Sequence, residues 1–208
     1  MRKKLSDNFR LKQAFQMKKI LVILGHPLAD TFSNTVFDTY TNAARNAGAE
    51  VRVIKLRELS FEINFKAGYR GEQTLEPDLV AAQESIQWCD HLVLIYPNWW
   101  STFPALLKGF IDRTLLPGFA FKYRKGSLLW DKLLTGRSAR IIVTMDTPPW
   151  YYRYVLGKPG HNAMKKGVLG FCGFNPVRVT TLGPIKISTE KKRARWLKRI
   201  ADLGQKMQ

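Results

Sequence analysis

Lys19-Ile-Leu-Val-Ile-Leu-Gly25 is the stretch whose reading decides the architecture. It is apolar on both faces, rich in β-branched residues, and stopped by Gly25-His26-Pro27. Such a run reads as a strand covered on both sides, the habit of a parallel sheet. Thr31 to Ala47 then reads as a helix, with Thr31 or Ser33 near its N-cap and Gly48 just past its end. The alternation continues along the chain. Glu50–Leu56, Asp90–Tyr96, Ser138–Thr144 and Pro176–Leu182 read as further strands. Pro77–Trp88, Pro104–Thr114, His161–Gly170 and the stretch from Ser188 onward read as helices, two of them opening on proline. Leu115–Trp130 and Met145–Gly160 are aromatic, broken by Gly or Pro, and read as loops. Strand and helix alternate five times, which specifies an α/β domain: a doubly wound five-stranded parallel sheet with helices on both faces.

The 208 residues are 45% apolar and 24% charged, enough for one domain with a full core and unlike a disordered or collagen-like chain. No run reaches the roughly 18 apolar residues of a membrane span. Residues 1–16 are basic and without period, so they are expected to lie outside a single domain of residues 17–208. No apolar segment follows those charges as in a secretory signal. Cys89 and Cys172 sit among apolar neighbours and read as core fillers in a reducing, cytoplasmic setting. There is no Cys/His spacing for a metal. The formal net charge of +18 is compatible with nucleic acid, an anionic membrane surface or a phosphate-bearing ligand. The chain has no helix-turn-helix, RNA-binding aromatic motif or zinc finger, so nucleic acid ranks last. The C-terminal helix places Trp196, Leu197, Ile200 and Leu203 on one face and Lys and Arg on the other.

Ligands of open α/β sheets bind beyond the carboxyl ends of the strands, at the topological switch point. The loops after strands one, three and four are therefore the candidates. The first, Gly25-His-Pro-Leu-Ala-Asp-Thr-Phe-Ser-Asn34, ends in a helix N-terminus, where amides and the helix dipole favour an anion. Thr31, Ser33 and Asn34 could add donors, or one of them could simply cap the helix. The dinucleotide fingerprint and the P-loop are both absent. After strand three come Pro97-Asn98-Trp99-Trp100, aromatic enough to wall a flat ligand.

Pro97-Asn98-Trp99-Trp100, followed by Pro104-Ala-Leu-Leu-Lys-Gly-Phe-Ile-Asp-Arg113, resembles the signature of flavodoxin-like NAD(P)H:quinone oxidoreductases, the DT-diaphorase type and its bacterial relatives. Gly25-His26-Pro27 with Ser33-Asn34 is similar to that family's first loop, and Gly170-Phe-Cys-Gly-Phe174 to a later segment. The resemblance covers about residues 18 to 204. It implies sheet order 2-1-3-4-5, a bound flavin (FAD, with FMN the alternative), NAD(P)H as co-substrate and a homodimer. By resemblance, His26, Thr31, Phe32, Ser33 and Asn34 hold the flavin's phosphate side, and Pro97, Asn98, Trp99 and Trp100 line its ring. Thr144, Met145, Asp146 and Thr147 occupy the place of the family's Thr-Thr-Gly-Gly loop, without its two glycines. Counting from Thr144 places the family's active tyrosine at Tyr152, with Tyr151 and Tyr154 as competitors; His161 is a second candidate proton donor. The implied activity is ping-pong hydride transfer from NAD(P)H to a quinone or similar acceptor. A flavin-holding regulatory partner of a membrane transporter is the alternative.

Overall fold

The computed structural model describes residues 17–71 and 73–208. The expected extension over residues 1–16 lies outside them. Five parallel strands form the main sheet in the order β2-β1-β3-β6-β7: β1 (Lys19–Leu24), β2 (Glu50–Lys55), β3 (His91–Pro97), β6 (Ser138–Thr144) and β7 (Val177–Leu182). Numbered by their order within this sheet, they run 2-1-3-4-5, as the resemblance implies.

Burial explains the positions. β1, β3 and β6 are apolar almost throughout and occupy the centre. β2 and β7 mix polar with apolar residues and take the edges. Side chains of a strand alternate between faces, so β1 divides its residues between two cores. Ile20, Val22 and Leu24 join Val36, Phe37, Tyr40 and Ile200 on one side. Leu21 and Ile23 join Leu79, Leu107, Phe110 and Met164 on the other.

The first core is roofed by α1 (Phe32–Asn46) and α6 (Glu190–Gln205). Gly204 makes their close approach feasible, since a Cβ there would stand 2.6 Å from the Tyr40 carbonyl oxygen. The second core is roofed by α2 (Pro77–Trp88), α3 (Ala105–Thr114) and the helical stretch that begins with α5 (Pro159–Asn162). α5 continues over Ala163–Gly170 as a wider π-helical stretch. There the Lys165 carbonyl oxygen lies 2.9 Å from where a Cβ on Gly170 would be, so glycine suits the fifth position on.

Two stretches read as loops carry regular structure. From within Leu115–Trp130 and just past its end, β4 (Phe121–Tyr123) and β5 (Trp130–Lys132) pair as an antiparallel hairpin, tied by Arg124 to Asp131 at 2.7 Å. Three-residue strands are too short to show a period-2 pattern. Within 145–160, α4 (Pro149–Tyr154) starts on proline, whose fixed φ suits a first helical turn. Only Tyr152 of α4 is buried, so no apolar period marks it.

The segment between β2 and α2 is pinned by Arg113 of α3, which is fully buried. Its guanidinium donates to the carbonyls of Glu62 (2.6 Å) and Thr74 (3.0 Å) and to both oxygens of Glu76 (2.7 and 3.3 Å). Gly109, one turn earlier, lets Ile63 press on the helix; a Cβ there would collide with the Ile63 Cγ2. Cys89 and Cys172 are buried free thiols, and burial pushes both up to about 12. Among the described residues no helix is long and apolar enough to cross a membrane, and no cluster of His, Cys, Asp and Glu could hold a metal.

Candidate active site

A cleft of about 250 Å³ opens beyond the carboxyl ends of β1, β3 and β6. β1 and β3 are the neighbours at which the order of connection reverses, the position the sheet topology singles out. His26, Thr31, Phe32, Ser33, Pro97, Asn98, Trp99, Thr144, Met145, Asp146 and Thr147 all line it. Asn34 and Trp100 do not, and Ile185 does.

At one end, the first turn of α1 faces the cleft with amides that helix geometry leaves without internal partners. Thr31 is the N-cap, and its N–H (3.3 Å) and hydroxyl (2.7 Å) both donate to Asn34 Oδ1. Asn34 is thereby turned back onto the helix end. Ser33 Oγ lies 2.9 Å from Thr144 Oγ1, a buried bridge between the first and third loops. Arg193 of α6 stands nearby: its guanidinium lies 5.7 Å from the Phe32 ring centre and bonds Ser188 Oγ and the Ile185 carbonyl. From sequence, Arg193 belonged to the solvated basic face of the last helix. His26 is buried, and burial pulls its pKa down. Its Nδ1 accepts from the Leu28 amide at 3.0 Å, and its ring meets Trp99 edge to face at 5.8 Å.

The second loop explains the two tryptophans. Trp99 and Thr102 exchange backbone hydrogen bonds of 3.1 and 2.9 Å around Trp100 and Ser101. Those two central residues have φ of 51° and 63°, as in a type I′ turn. Trp99 therefore joins the wall of the cleft, while Trp100 projects from the turn and is 98% exposed.

The third loop is held from outside. Met145 donates its amide to the Leu182 carbonyl, Ile185 donates to the Met145 carbonyl at 3.0 Å, and Lys186 donates to Asp146 Oδ1 at 2.7 Å. The segment after β7 thus holds this glycine-free loop in place, and it carries Ile185 to the cleft. No local pattern around Ile185 signals this, because the contact is long-range.

Tyr152 is 1% exposed. Its hydroxyl donates to the Ser101 carbonyl (3.1 Å) and accepts from the Gly160 amide (3.0 Å), which also bonds Ser101 O at 2.9 Å. A Cβ on Gly160 would fall 2.7 Å from the Ser101 carbonyl oxygen, so this three-way clasp requires glycine. His161 packs edge-on against Tyr152 at 4.8 Å. Burial, helped by Lys158, lowers its pKa to about 4, so it is neutral near pH 7. Burial raises that of Tyr152. Tyr151 and Tyr154 are both exposed, and none of Tyr151, Tyr152, Tyr154 and His161 lines the cleft.

A family model described as the flavodoxin-like fold matches residues 18–206. The chain belongs to this flavodoxin-like family. Among curated relatives, ribosyldihydronicotinamide dehydrogenase [quinone] of Mus musculus is 26% identical over 219 residues, covering 89% of this chain and 92% of the mouse protein. A solved structure of a Streptococcus mutans protein superposes with a TM-score of 0.77 at 28% identity, over 90% of this chain and 99% of that one. The NAD(P)H:quinone oxidoreductase of Methanothermobacter marburgensis has the same fold, with a TM-score of 0.77 at 23% identity over 93% and 100% of the two chains. The flavodoxin-like relatives thus match this chain along nearly its whole length.

Proposed function

We propose that the chain is a flavin-dependent NAD(P)H:quinone oxidoreductase. The observation that carries this is the cleft itself. One end offers first-turn amides to an anion, and Pro97, Asn98 and Trp99 of the second loop with Thr144–Thr147 of the third line the rest. That donor set fits a flavin: phosphate at the helix end, ring between the second and third loops. Such a cofactor, when bound, supplies hydride acceptance from NAD(P)H and hydride delivery to a quinone in alternate half-reactions. We take it to be FAD on the resemblance of the first loop, with FMN as the alternative.

The protein's part is binding and orientation. Phe32 and Ser33 present amides to the phosphate, and the Ser33–Thr144 bridge sets the spacing of the two loops. Trp99 and Pro97 form the apolar wall that keeps water from the ring face. Tyr152 fixes the second loop by donating its hydroxyl to the Ser101 carbonyl. His161, neutral, supports the Tyr152 ring and can donate or accept a single proton. We take the chain to work as a homodimer on the family resemblance; the exposed side chains of Trp100, Tyr123, Leu128, Trp150, Tyr154 and Val155 offer apolar surface for such a contact.

The test is to purify the protein, release and identify its cofactor by chromatography, and measure quinone reduction with NADH and NADPH. A yellow protein giving parallel double-reciprocal lines supports the reading. A colourless protein that takes up neither FAD nor FMN rejects it, and flavin without turnover rejects the enzymatic half.

A further inference from the structure

A second cavity, of about 360 Å³, lies at the β7 edge of the sheet and shares no lining residue with the cleft. Its walls come from four places in the chain. Tyr152 and Arg153 belong to α4, Lys158 and His161 to the start of α5, and Arg199 to α6, with Thr181 of the edge strand between them.

Three features distinguish it from an ordinary basic surface. First, its charged lining residues are all cationic. Among the described residues no carboxylate stands within 4.0 Å of Arg153, Lys158 or Arg199. Second, His161 is only 8% exposed, yet its Nε2 has no hydrogen-bond partner among the described residues. A buried polar atom without a partner costs free energy unless something satisfies it. Third, the positive field continues behind the wall. Arg140 is buried on β6, its Nε is also without a partner, and Arg199 and Arg178 both bear on its charge.

We infer that this cavity is a binding site for a phosphoryl group, seated against His161 and held by Arg153, Lys158 and Arg199. A phosphate offers several strong acceptor oxygens and suits convergent Arg and Lys donors. One oxygen would give the neutral His161 Nε2–H its acceptor. The Lys158 backbone is fixed in a left-handed conformation (φ 57°) ahead of Pro159, which sets its side chain as part of the wall. The phosphoryl group could be free phosphate or the monoester of a nucleotide, and the same experiment separates these.

The His161 ring nitrogens are followed by long-range proton–nitrogen NMR on the protein as purified, during titration with inorganic phosphate at constant ionic strength. The expected result is a saturable shift. Arg153→Ala and Arg199→Ala should each weaken it about tenfold, whereas Lys122→Ala, which removes an exposed cation on the β4–β5 hairpin, leaves it unchanged. Displacement of phosphate by NADP⁺ but not NAD⁺ assigns the site to a nucleotide monoester; displacement by neither assigns it to free phosphate. Either supports a phosphoryl site. The inference is overturned if the shift fails to saturate, matches that of chloride at equal ionic strength, or survives in the Arg153→Ala/Arg199→Ala double variant. Because no flavin contact enters this readout, its failure leaves the assignment of the main cleft standing.

Discussion

Replacing Arg113 with methionine isolates the pin between α3 and the 59–76 segment. The side chain is wholly buried, and its guanidinium makes four hydrogen bonds, two of them to a carboxylate. Methionine matches the stem but strands two carbonyls and the Glu76 carboxylate. Breaking a buried ion pair from one side costs about 3–5 kcal/mol. Glu76 keeps 29% of its side chain in contact with water and can partly rehydrate, which places the loss near the lower end, about 3 kcal/mol. For a chain of this size that lowers the melting midpoint by roughly 6–12 °C. Urea unfolding of wild type, Arg113→Met, Glu76→Gln and the double variant closes the cycle, with a coupling of about 1–3 kcal/mol expected between the two sites. pH adds a second check. Burial alone would raise the Glu76 pKa, but the Glu62 amide, its own amide and Arg113 together hold it below the usual range. Its stabilising effect is therefore complete above the unfolded value of about 4.3 and is lost as pH falls through the folded value. Wild type should lose stability faster than Glu76→Gln in that acid window. A loss under about 1 kcal/mol for Arg113→Met, or a coupling near zero, would refute the pin.

The turn at Trp100-Ser101 holds two non-glycine residues at positive φ, so Trp100→Asn with Ser101→Gly should stabilise by about 1 kcal/mol per residue in a thermal melt; a lower midpoint would contradict the turn type. Tyr152→Phe removes the hydroxyl of the clasp and should cost about 1–2 kcal/mol and loosen flavin retention, measured by cofactor release on gel filtration. Gly160→Ala inserts a Cβ against the Ser101 carbonyl and should cost about 1–3 kcal/mol by the same melt. His161 should titrate near pH 4 by NMR. Because its folded pKa lies below the unfolded value of about 6.5, its contribution to stability is full above that pH and declines on acidification toward 4; an NMR midpoint at or above the unfolded value would contradict its burial.

Strand positions and the loops that form the cleft were legible because β1, β3 and β6 are continuous apolar runs, whereas the sheet order was implied by the family resemblance. The hairpin and α4 were not, since neither is long enough to display a period. Asn34 was left open between ligand donor and helix cap; its amide oxygen closes the helix end, a local choice that spacing does not distinguish from binding. Trp100 was read as a second wall, but the handedness of its turn sends it to solvent. Ile185 reaches the site only because the segment after β7 folds over the third loop. The Lys108–Arg113 motif marked the family correctly, although its work lies elsewhere: Lys108 pairs with Asp112 at 2.6 Å, Gly109 admits Ile63, and Arg113 holds the 59–76 segment.

The clasp at Tyr152 couples two stretches of chain through one phenolic oxygen and one shared amide hydrogen. Residues 98–102 cannot lift without pulling 158–161 along or stranding a carbonyl and an N–H away from water. Opening of the cleft mouth at residues 98–102 thus requires both stretches to move together.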